Sequence, residues 1–325
     1  MPFMKLRPDA FYTALAETPA GVVRCRHSWR LERERRERVM RSFVDQSGLD
    51  RSWIGAGMRR IRAIVQDTAF YRRGIRNALA IRHVVETLTF PNLPAAFDGY
   101  ELLQVSDPHF GVLPELDAAI LQALAGQRCD LCVLTGDFRA RFFDAHAHAL
   151  TNMRQLIQGI SARDGFIAIL GNHDTAAMVS PLEESGYRVL INEHLTLPRQ
   201  DAAIRILGLD DPHFFPSEMA LSALAMPREE EFGIVLVHTP ELVAEAARHG
   251  FDLYLCGHTH GGQICWPTGR PIITGMRQGS ARHGQGLWRH GNMTGRTSNG
   301  LGSSAIPARY FNRPETVRII LRRGA

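Results

Sequence analysis

The chain lacks the features that mark membrane-spanning, secreted and disordered proteins. No uninterrupted apolar run among its 325 residues approaches the roughly 18 residues that cross a bilayer. The segment 1–7 has no apolar core of the kind found in secretory signals. Hydrophobic residues make up 45% and charged residues 22% of the chain, which excludes wholesale disorder. We therefore expect a soluble, cytoplasmic protein with one large domain or two small ones.

Cysteine is also scarce. The five cysteines are an odd number without the dense spacing of a disulfide scaffold, which favours a reducing compartment. Cys129 and Cys132 form a CxxC, but no second pair follows at the spacing of a zinc site. Cys132 lies within the apolar stretch 130–134 and Cys129 lies just before it, so we predict that both are buried in strand packing. A redox or metal role is the alternative.

Positive charge is concentrated in the first part of the chain. Residues 1–90 contain 17 Arg and 1 Lys against 9 acidic residues, a net charge of +9, whereas the remainder has a net charge of −4. A basic segment of this kind suggests contact with a membrane surface, a nucleic acid or an acidic partner. Nothing in it resembles a nucleic-acid-binding module, so nucleic acid is disfavoured.

Two segments of this basic part have helical periodicity. Residues 30–38 mix charges of both signs at i,i+3 and i,i+4, which predicts a solvated helix. In residues 51–68, apolar side chains recur from Ile54 to Val65 at helical spacing, and the arginines lie largely elsewhere on the helix. This pattern favours a helix packed on the rest of the protein. The alternative is a helix lying in the interface of an anionic membrane.

From about residue 98, short apolar runs alternate with helical segments of 10–15 residues. This alternation is typical of buried strands in an α/β sheet. Five of the runs end in Asp, Asn or His, and ligands bind beyond the carboxyl ends of strands in such sheets. The side chains at these ends are Asp107, His109, Asp137, Asn172, His238, His258 and His260.

These donors predict a metal site. Carboxylates and imidazoles with one amide suit Mn, Fe or Zn better than Ca or Mg. Seven donors are too many for one tetrahedral ion but fit two ions that share a carboxylate. Two ions roughly 3.5–4 Å apart can hold a bridging hydroxide and stabilise a phosphoryl displacement.

The C-terminal part has a different character. Residues 275–303 are polar with little periodicity, which predicts a long functional or mobile loop. A last strand is predicted from Thr316 to Leu321.

The strand-end blocks together resemble the calcineurin-like metallophosphoesterase superfamily. Its pattern of DxH, GDxx, GNH(D/E), a lone His and GHxH is matched in order by 107–109, 136–139, 171–174, His238 and 257–260. The resemblance covers about residues 98–325. It implies an α/β fold with a β-sandwich flanked by helices. We therefore expect a phosphoesterase domain at 96–325 behind a basic, mainly helical N-terminal extension at 1–95.

The resemblance also implies a role for each residue. One of two divalent ions, with Mn favoured, would be bound by Asp107, His109, Asp137 and His260. The second would be bound by Asp137, Asn172, His238 and His258. His173 would face the substrate, with Asp174 orienting it. Two further residues, Arg139 and Asp211, are candidate substrate contacts, and a loop cap is the alternative for Asp211.

The block GHTHGGQ at 257–263, with Trp266-Pro267 and the segment 300–304, resembles one bacterial branch of the family. That branch contains phosphodiesterases and pyrophosphatases that cleave UDP-2,3-diacylglucosamine. The resemblance implies hydrolysis of a phosphodiester or pyrophosphate bond by a metal-bridging hydroxide, on a lipid- or nucleotide-linked diphosphate. A peripheral position on the inner face of the membrane would suit such a substrate.

Two alternatives remain for the function. The first is a soluble phosphodiesterase that acts on cyclic nucleotides or small diesters. The second is a non-catalytic scaffold, which is disfavoured because all seven ligand positions and His173 are filled. The sequence does not indicate an oligomeric state.

Overall fold

A computed structural model describes residues 19–40, 68–142, 145–226, 231–272, 275–276 and 281–324. Residues 51–67 of the predicted amphipathic segment lie outside the described residues. Its last residue, Thr68, caps a helix by accepting a hydrogen bond from the backbone N–H of Tyr71.

The described helices and strands follow one another in mixed order. The helices are α1 (Pro19–Met40), α2 (Ala69–Leu79), α3 (Pro114–Leu124), α4 (Ala147–Gly159), α5 (Val179–Glu184), α6 (Glu218–Ala225) and α7 (Val243–Arg248). The first seven strands are β1 (Arg82–Phe90), β2 (Glu101–Val105), β3 (Arg128–Cys129), β4 (Leu131–Leu134), β5 (Ser161–Ala162), β6 (Phe166–Ala168) and β7 (Tyr187–Val189). The others are β8 (Glu193–Arg199), β9 (Ala202–Gly208), β10 (Phe232–Leu236), β11 (Leu253–Cys256), β12 (Gly286–His290), β13 (Met293–Thr297) and β14 (Glu315–Arg323).

Twelve of these strands form two six-stranded sheets. The first has the order β1-β14-β2-β4-β6-β7, and the second has the order β12-β13-β11-β10-β9-β8. Their facing side chains form one apolar core, which includes Leu102, Val133, Ile167, Ile206, Ile234 and Leu255. The predicted α/β sandwich flanked by helices is therefore confirmed.

Each sheet also buries the central part of its outer face. Leu103, Cys132 and Leu134 of the first sheet pack in a cluster with side chains of α3, α4 and α5. Val235 and Tyr254 of the second sheet pack with α6 and α7. Because these strands are buried on both sides, they read as continuous apolar runs rather than as alternating ones.

Cys129 and Cys132 are both buried free thiols in strands, as predicted. Burial raises the pKa of Cys129 to about 11 and that of Cys132 well above its usual value. Both therefore stay protonated near neutral pH, and the packing interpretation holds over a redox one.

The sandwich includes segments that the sequence did not assign to strands. Strand β1 lies within the predicted helical extension, yet it pairs in parallel with β14 from Arg82 to Phe90. The sheet therefore starts before residue 96. Strands β12 and β13 form an antiparallel pair inside the predicted loop 275–303, where Trp288 covers Gly295. The last strand, β14, agrees with the prediction.

Helix α1 is only partly solvated. It has the expected i,i+4 ion pairs, Arg30 with Glu34 at 2.9 Å and Arg36 with Glu32. However, Trp29 is 4% exposed and Arg33 is 1% exposed, because one face of the helix packs on the sandwich. Among the described residues, no helix has the length and apolarity to cross a membrane.

Candidate metal centre

The predicted ligands follow β2, β4, β6, β10 and β11. Strands β2, β4 and β6 run parallel in the first sheet, and β10 and β11 run parallel in the second. Their carboxyl ends therefore emerge at one edge within each sheet. The contacts between the loops show that these two edges meet.

One group of donors joins the first and last blocks of the pattern. Atoms of Asp107, His109 and His260 that can bind a metal lie within 4.8 Å of one another. The Nε2 atoms of His109 and His260 are 3.0 Å apart, and Nε2 of His260 is 3.8 Å from Oδ1 of Asp107. All three residues are buried.

A second group is formed by Asp137, His238 and His258, again within 4.8 Å. Oδ2 of Asp137 is 3.3 Å from Nε2 of His238. Oδ1 of Asn172 lies 2.8 Å from Nδ1 of His258 and 3.0 Å from Nε2 of His238. The structure thus brings all seven predicted ligands together in two adjacent groups.

Asp137 lies between the two groups. Its Oδ2 atom is 3.5 Å from Nε2 of His109 in the first group and 3.3 Å from Nε2 of His238 in the second. This is the position that a carboxylate shared by two ions requires.

The backbone at the centre is strained. Asp107, His109, Asp137, His258 and His260 all have positive φ angles, between 45° and 68°. Residues other than glycine rarely adopt this conformation, and such strain concentrates at functional sites. Five predicted ligands are thus held in a conformation that the surrounding structure must impose.

Glycine is required at three motif positions because neighbouring atoms lie too close to leave room for a Cβ atom. A Cβ atom on Gly136 would lie 2.5 Å from the backbone nitrogen of Gly171. A Cβ on Gly171 would overlap the carboxylate of Asp137, and one on Gly257 would overlap Ser106 and the carboxylate of Asp107. The glycines therefore let the loops approach the two carboxylates.

Backbone carbonyls orient the imidazoles. Nδ1 of His109 is 3.1 Å from the carbonyl oxygen of Arg139, and Nδ1 of His238 is 2.7 Å from that of Thr135. A carbonyl only accepts, so Nδ1 of each ring donates to it, and Nε2 is the ring nitrogen that faces the site. This arrangement is usual for metal-ligating histidines, and the residues present therefore fit divalent ions.

The two buried carboxylates, Asp107 and Asp137, favour positive charge in their surroundings. Burial raises the pKa of Asp107. For Asp137, burial is outweighed by His238 and His173, and its pKa is well below the usual range. The pKa of His238 rises to about 10 because Asp137 and Asp107 outweigh its burial. A proton on His238 thus supplies positive charge that divalent ions would otherwise bring.

Burial lowers the pKa values of His258 and His260 well below the usual value. Both are therefore neutral near pH 7, the form in which imidazole binds metals.

His173 lies next to this cluster and is half-buried. One of its ring nitrogens lies within 4.8 Å of the donor atoms of His109 and Asp137. Its ring stacks on Phe142, with centroids 4.4 Å apart, and Nδ1 is 3.0 Å from the carbonyl oxygen of Ala140. Burial lowers its pKa to about 3. The structure thus places His173 beside the candidate ligands.

Asp174 differs from its predicted role of orienting His173. Its carboxylate accepts hydrogen bonds from the backbone N–H groups of Asp137, Phe138 and Gly171, at 2.8–2.9 Å. It therefore ties together the loops that carry Asp137 and Asn172. The ring of His173 is held by Ala140 instead.

Arg139 also differs from the prediction of a phosphate contact. It is 3% exposed, and its guanidinium donates to the carbonyl oxygens of His173 and Phe142. These bonds fix the loop that presents His173.

Asp211 is not available to a substrate. It is 0% exposed, and its two oxygens accept from the backbone N–H groups of His213 at 3.2 Å and Phe214 at 2.9 Å. The loop-cap alternative is therefore the one that the structure supports.

Among the features that sequence reasoning missed is Arg309, a buried cation beside the centre. Arg309 is 0% exposed and donates to the carbonyl oxygens of Asn299 at 2.7 Å and Gly302. Its Nη2 atom lies 3.1 Å from Nδ1 of His260, and burial lowers its pKa to about 10. No local motif marks this arginine, because its partners come from other segments.

Comparisons with known proteins confirm the resemblance to the superfamily. The sequence profile described as "Calcineurin-like phosphoesterase" matches residues 100–262. The "Uncharacterized metallophosphoesterase YkuE" of Bacillus subtilis strain 168 is 32% identical over 253 residues, which is 72% of this chain and 84% of that protein.

Two further relatives are more distant. The "Uncharacterized metallophosphoesterase YkoQ" of the same bacterium is 27% identical over 66% of this chain and 80% of its own length. The "Phosphodiesterase YaeI" of Escherichia coli K12 is 26% identical over 68% of this chain and 82% of its own length.

Proposed function

This chain belongs to the calcineurin-like phosphoesterase family, and from that premise we propose that it hydrolyses phosphodiester or pyrophosphate bonds with two divalent ions. The observation that carries the proposal is the pair of donor groups that meet at Asp137. Metal-dependent phosphoester hydrolysis is the activity of the family, and the donors required for it are all within reach of one another.

The ligands of the two ions follow from the two groups. We assign one ion to Asp107, His109, Asp137 and His260, and the other to Asp137, Asn172, His238 and His258. When bound, such ions lower the pKa of water and polarise phosphoryl oxygens. Among Mn, Fe and Zn, which suit these donors, we favour Mn.

His173 is the residue that we place against the substrate. It lies beside both Asp137 and His109, and its ring is held by Ala140 and Phe142. From this position it either stabilises charge on the phosphoryl group or protonates the leaving oxygen. Either role requires His173 to take up a proton when the anionic substrate binds, because its lowered pKa leaves the free imidazole uncharged near neutral pH. Arg139 and Asp174 act indirectly, because they hold the loops of His173, Asp137 and Asn172.

For the substrate, we favour a lipid- or nucleotide-linked diphosphate such as UDP-2,3-diacylglucosamine. The GHTHGGQ block at 257–263 supports this substrate. In the structure, the amide of Gln263 binds Ser304 and Ile306 and so fixes the loop behind His258 and His260. The alternative is hydrolysis of cyclic nucleotides or small diesters, which the name of the E. coli phosphodiesterase also allows.

The first test is metal-restored turnover. Metal-stripped protein is assayed on bis-p-nitrophenyl phosphate, UDP-2,3-diacylglucosamine and cyclic nucleotides after addition of Mn, Zn, Fe or Mg, with Asp137→Asn as the inactive control. We expect turnover that depends on metal and is lost in the variant. No turnover on any of these substrates with any metal would contradict the proposal and favour a non-catalytic scaffold.

Contact with an anionic membrane surface is the second part of this proposal. Its support is the basic amphipathic pattern of residues 51–68. Deletion of residues 1–90 would remove β1 and α1 from the fold, so the test uses Arg59→Gln with Arg60→Gln. We expect weaker sedimentation with phosphatidylglycerol vesicles than for the unchanged protein. Equal sedimentation would exclude this contact.

A further inference from the structure

Helix α1 contributes a buried arginine to the neighbourhood of the metal centre. Arg33 is 1% exposed, and its guanidinium pairs with the carboxylate of Asp210. Its Nη2 atom donates to the carbonyl oxygens of Gly171 and Asp174, both at 2.8 Å. The guanidinium also lies over the ring of Phe215, 3.7 Å from its centroid.

The two carbonyl groups belong to the loop that presents the site residues. Gly171 and Asp174 enclose Asn172, a candidate metal ligand, and His173, the candidate substrate contact. One planar guanidinium with several fixed donors can hold both ends of such a loop at once. The spacing of the loop ends is therefore set by an arginine 138 positions away from Gly171 in the chain.

Two more residues on the same face of α1 contact the sandwich near this loop. Trp29 donates to Asp210 at 2.5 Å, and Glu37 accepts from the backbone N–H of Ala176 at 2.9 Å. With Arg33 these residues occupy positions i, i+4 and i+8, which lie on one side of a helix. Glu37 and Met40 also line a cleft shared with Asn172.

We propose that Arg33 is a positioning residue of the metal centre, through which α1 holds Asn172 and His173 in place. The proposal rests on the assignment of Asn172 and His173 in the proposed function. It makes α1 a part of the active site rather than an appended basic helix. Arg33 does not contact the ions or the substrate and acts only through the loop 171–174.

The decisive variant is Arg33→Lys in the full chain. A lysine keeps the charge beside Asp210 but lacks the fork that spans two carbonyl groups and a carboxylate. Arg30→Lys on the same helix is the matched control, since Arg30 is exposed and pairs with Glu34. Arg26→Lys is the second control, because Arg26 docks α1 through Glu183, Glu193 and the carbonyl oxygen of Val189, away from the loop 171–174.

The readouts are Mn²⁺ affinity of metal-stripped protein by calorimetry, kcat and KM on bis-p-nitrophenyl phosphate, and the melting temperature. For Arg33→Lys we expect the affinity of one ion and kcat to fall by about 10- to 100-fold, as for other residues that orient ligands, with KM unchanged. Arg30→Lys should match the unchanged protein. Arg26→Lys should lower the melting temperature without changing the affinity.

Two outcomes would overturn the proposal. The first is an Arg33→Lys protein with unchanged Mn²⁺ affinity and kcat. The second is a loss of affinity that follows the melting temperature equally in Arg33→Lys and Arg26→Lys, which would indicate a structural role alone. Because Mn²⁺ affinity needs no substrate, absence of turnover in the unchanged protein would contradict the proposed function without affecting this test.

Discussion

The two sheets of the sandwich contribute different ligands to one centre. The loops of the first sheet carry both candidate carboxylate ligands, Asp107 and Asp137, together with His109 and Asn172. The loops of the second sheet carry three candidate ligands, His238, His258 and His260, and all are imidazoles. The negative charge of the centre therefore comes from one sheet, and neutral donors come mainly from the other.

Because of this difference, neither sheet alone supplies a complete set of ligands for the two ions. Carboxylates next to β9 in the second sheet do exist, but Asp210 pairs with Arg33 and Asp211 binds backbone N–H groups. In the proposed centre, ions attracted by Asp107 and Asp137 would complete their coordination with imidazoles from the opposite sheet. The metals would thus join the two sheets at their carboxyl ends.

The largest expected effect comes from the shared carboxylate. Asp137→Asn should lower kcat/KM by about 10³-fold, whereas His258→Gln in the second sheet should lower it by about 10²-fold, because only the first change removes charge from both ion positions. Steady-state kinetics on bis-p-nitrophenyl phosphate measure the difference. The exposed Asp201→Asn serves as a control, and equal losses in both ligand variants would break the comparison between the sheets.

The next largest effect is expected on stability, at Gly171, whose backbone lies against the carboxylate of Asp137. In Gly171→Ala the new Cβ overlaps Asp137, so we expect the free energy of unfolding to fall by about 2 kcal/mol, as in other overpacked sites. Urea denaturation measures it. Gly159→Ala is the control, since a Cβ there has 3.7 Å to its nearest neighbour. Equal stability of the two variants would show that the loop of Gly171 does not need a glycine to lie against Asp137.

A smaller effect is expected at Arg139, which supports the first sheet's loops. Because its guanidinium binds the carbonyl groups of His173 and Phe142, Arg139→Lys should lower kcat by about 10-fold with KM unchanged. Kinetics over a range of substrate concentrations separate the two constants. A rise in KM with constant kcat would instead show that Arg139 binds the substrate phosphate.

The smallest effect is expected in the second sheet, at Asp211. Asp211→Asn weakens hydrogen bonds to His213 and Phe214 and should cost about 1 kcal/mol of folding stability. Its kcat/KM should stay within twofold of the unchanged protein. A larger loss of activity at constant stability would return Asp211 to the set of candidate substrate contacts.

The sequence predicts the candidate metal ligands better than the residues that hold the ligand loops in place. Asp107, Asn172 and His258 stand in short motifs at strand ends, so local pattern and strand order are enough to bring them together. Arg33 and Arg309 carry no such signal, because their partners, such as Asp210, lie in distant segments. Only the packed structure shows which carbonyl groups they hold.

The same reason explains the missed strands. Strand β1 has mostly exposed and half-buried positions and gains its place by pairing with β14, at the other end of the described chain. Strands β12 and β13 are short and contain polar residues and glycine, so their periodicity is weak. In contrast, β10 and β11 are fully buried and were evident as apolar runs.

The number of ions bound per chain tests most directly whether the two sheets share one dinuclear centre. Metal-stripped protein is titrated with Mn²⁺ by isothermal calorimetry, alongside Asp137→Asn from the first sheet and His238→Ala from the second. We predict two ions per chain, with loss of high-affinity binding in Asp137→Asn and loss of one ion in His238→Ala. A single ion per chain that survives in His238→Ala would contradict a centre built from both sheets.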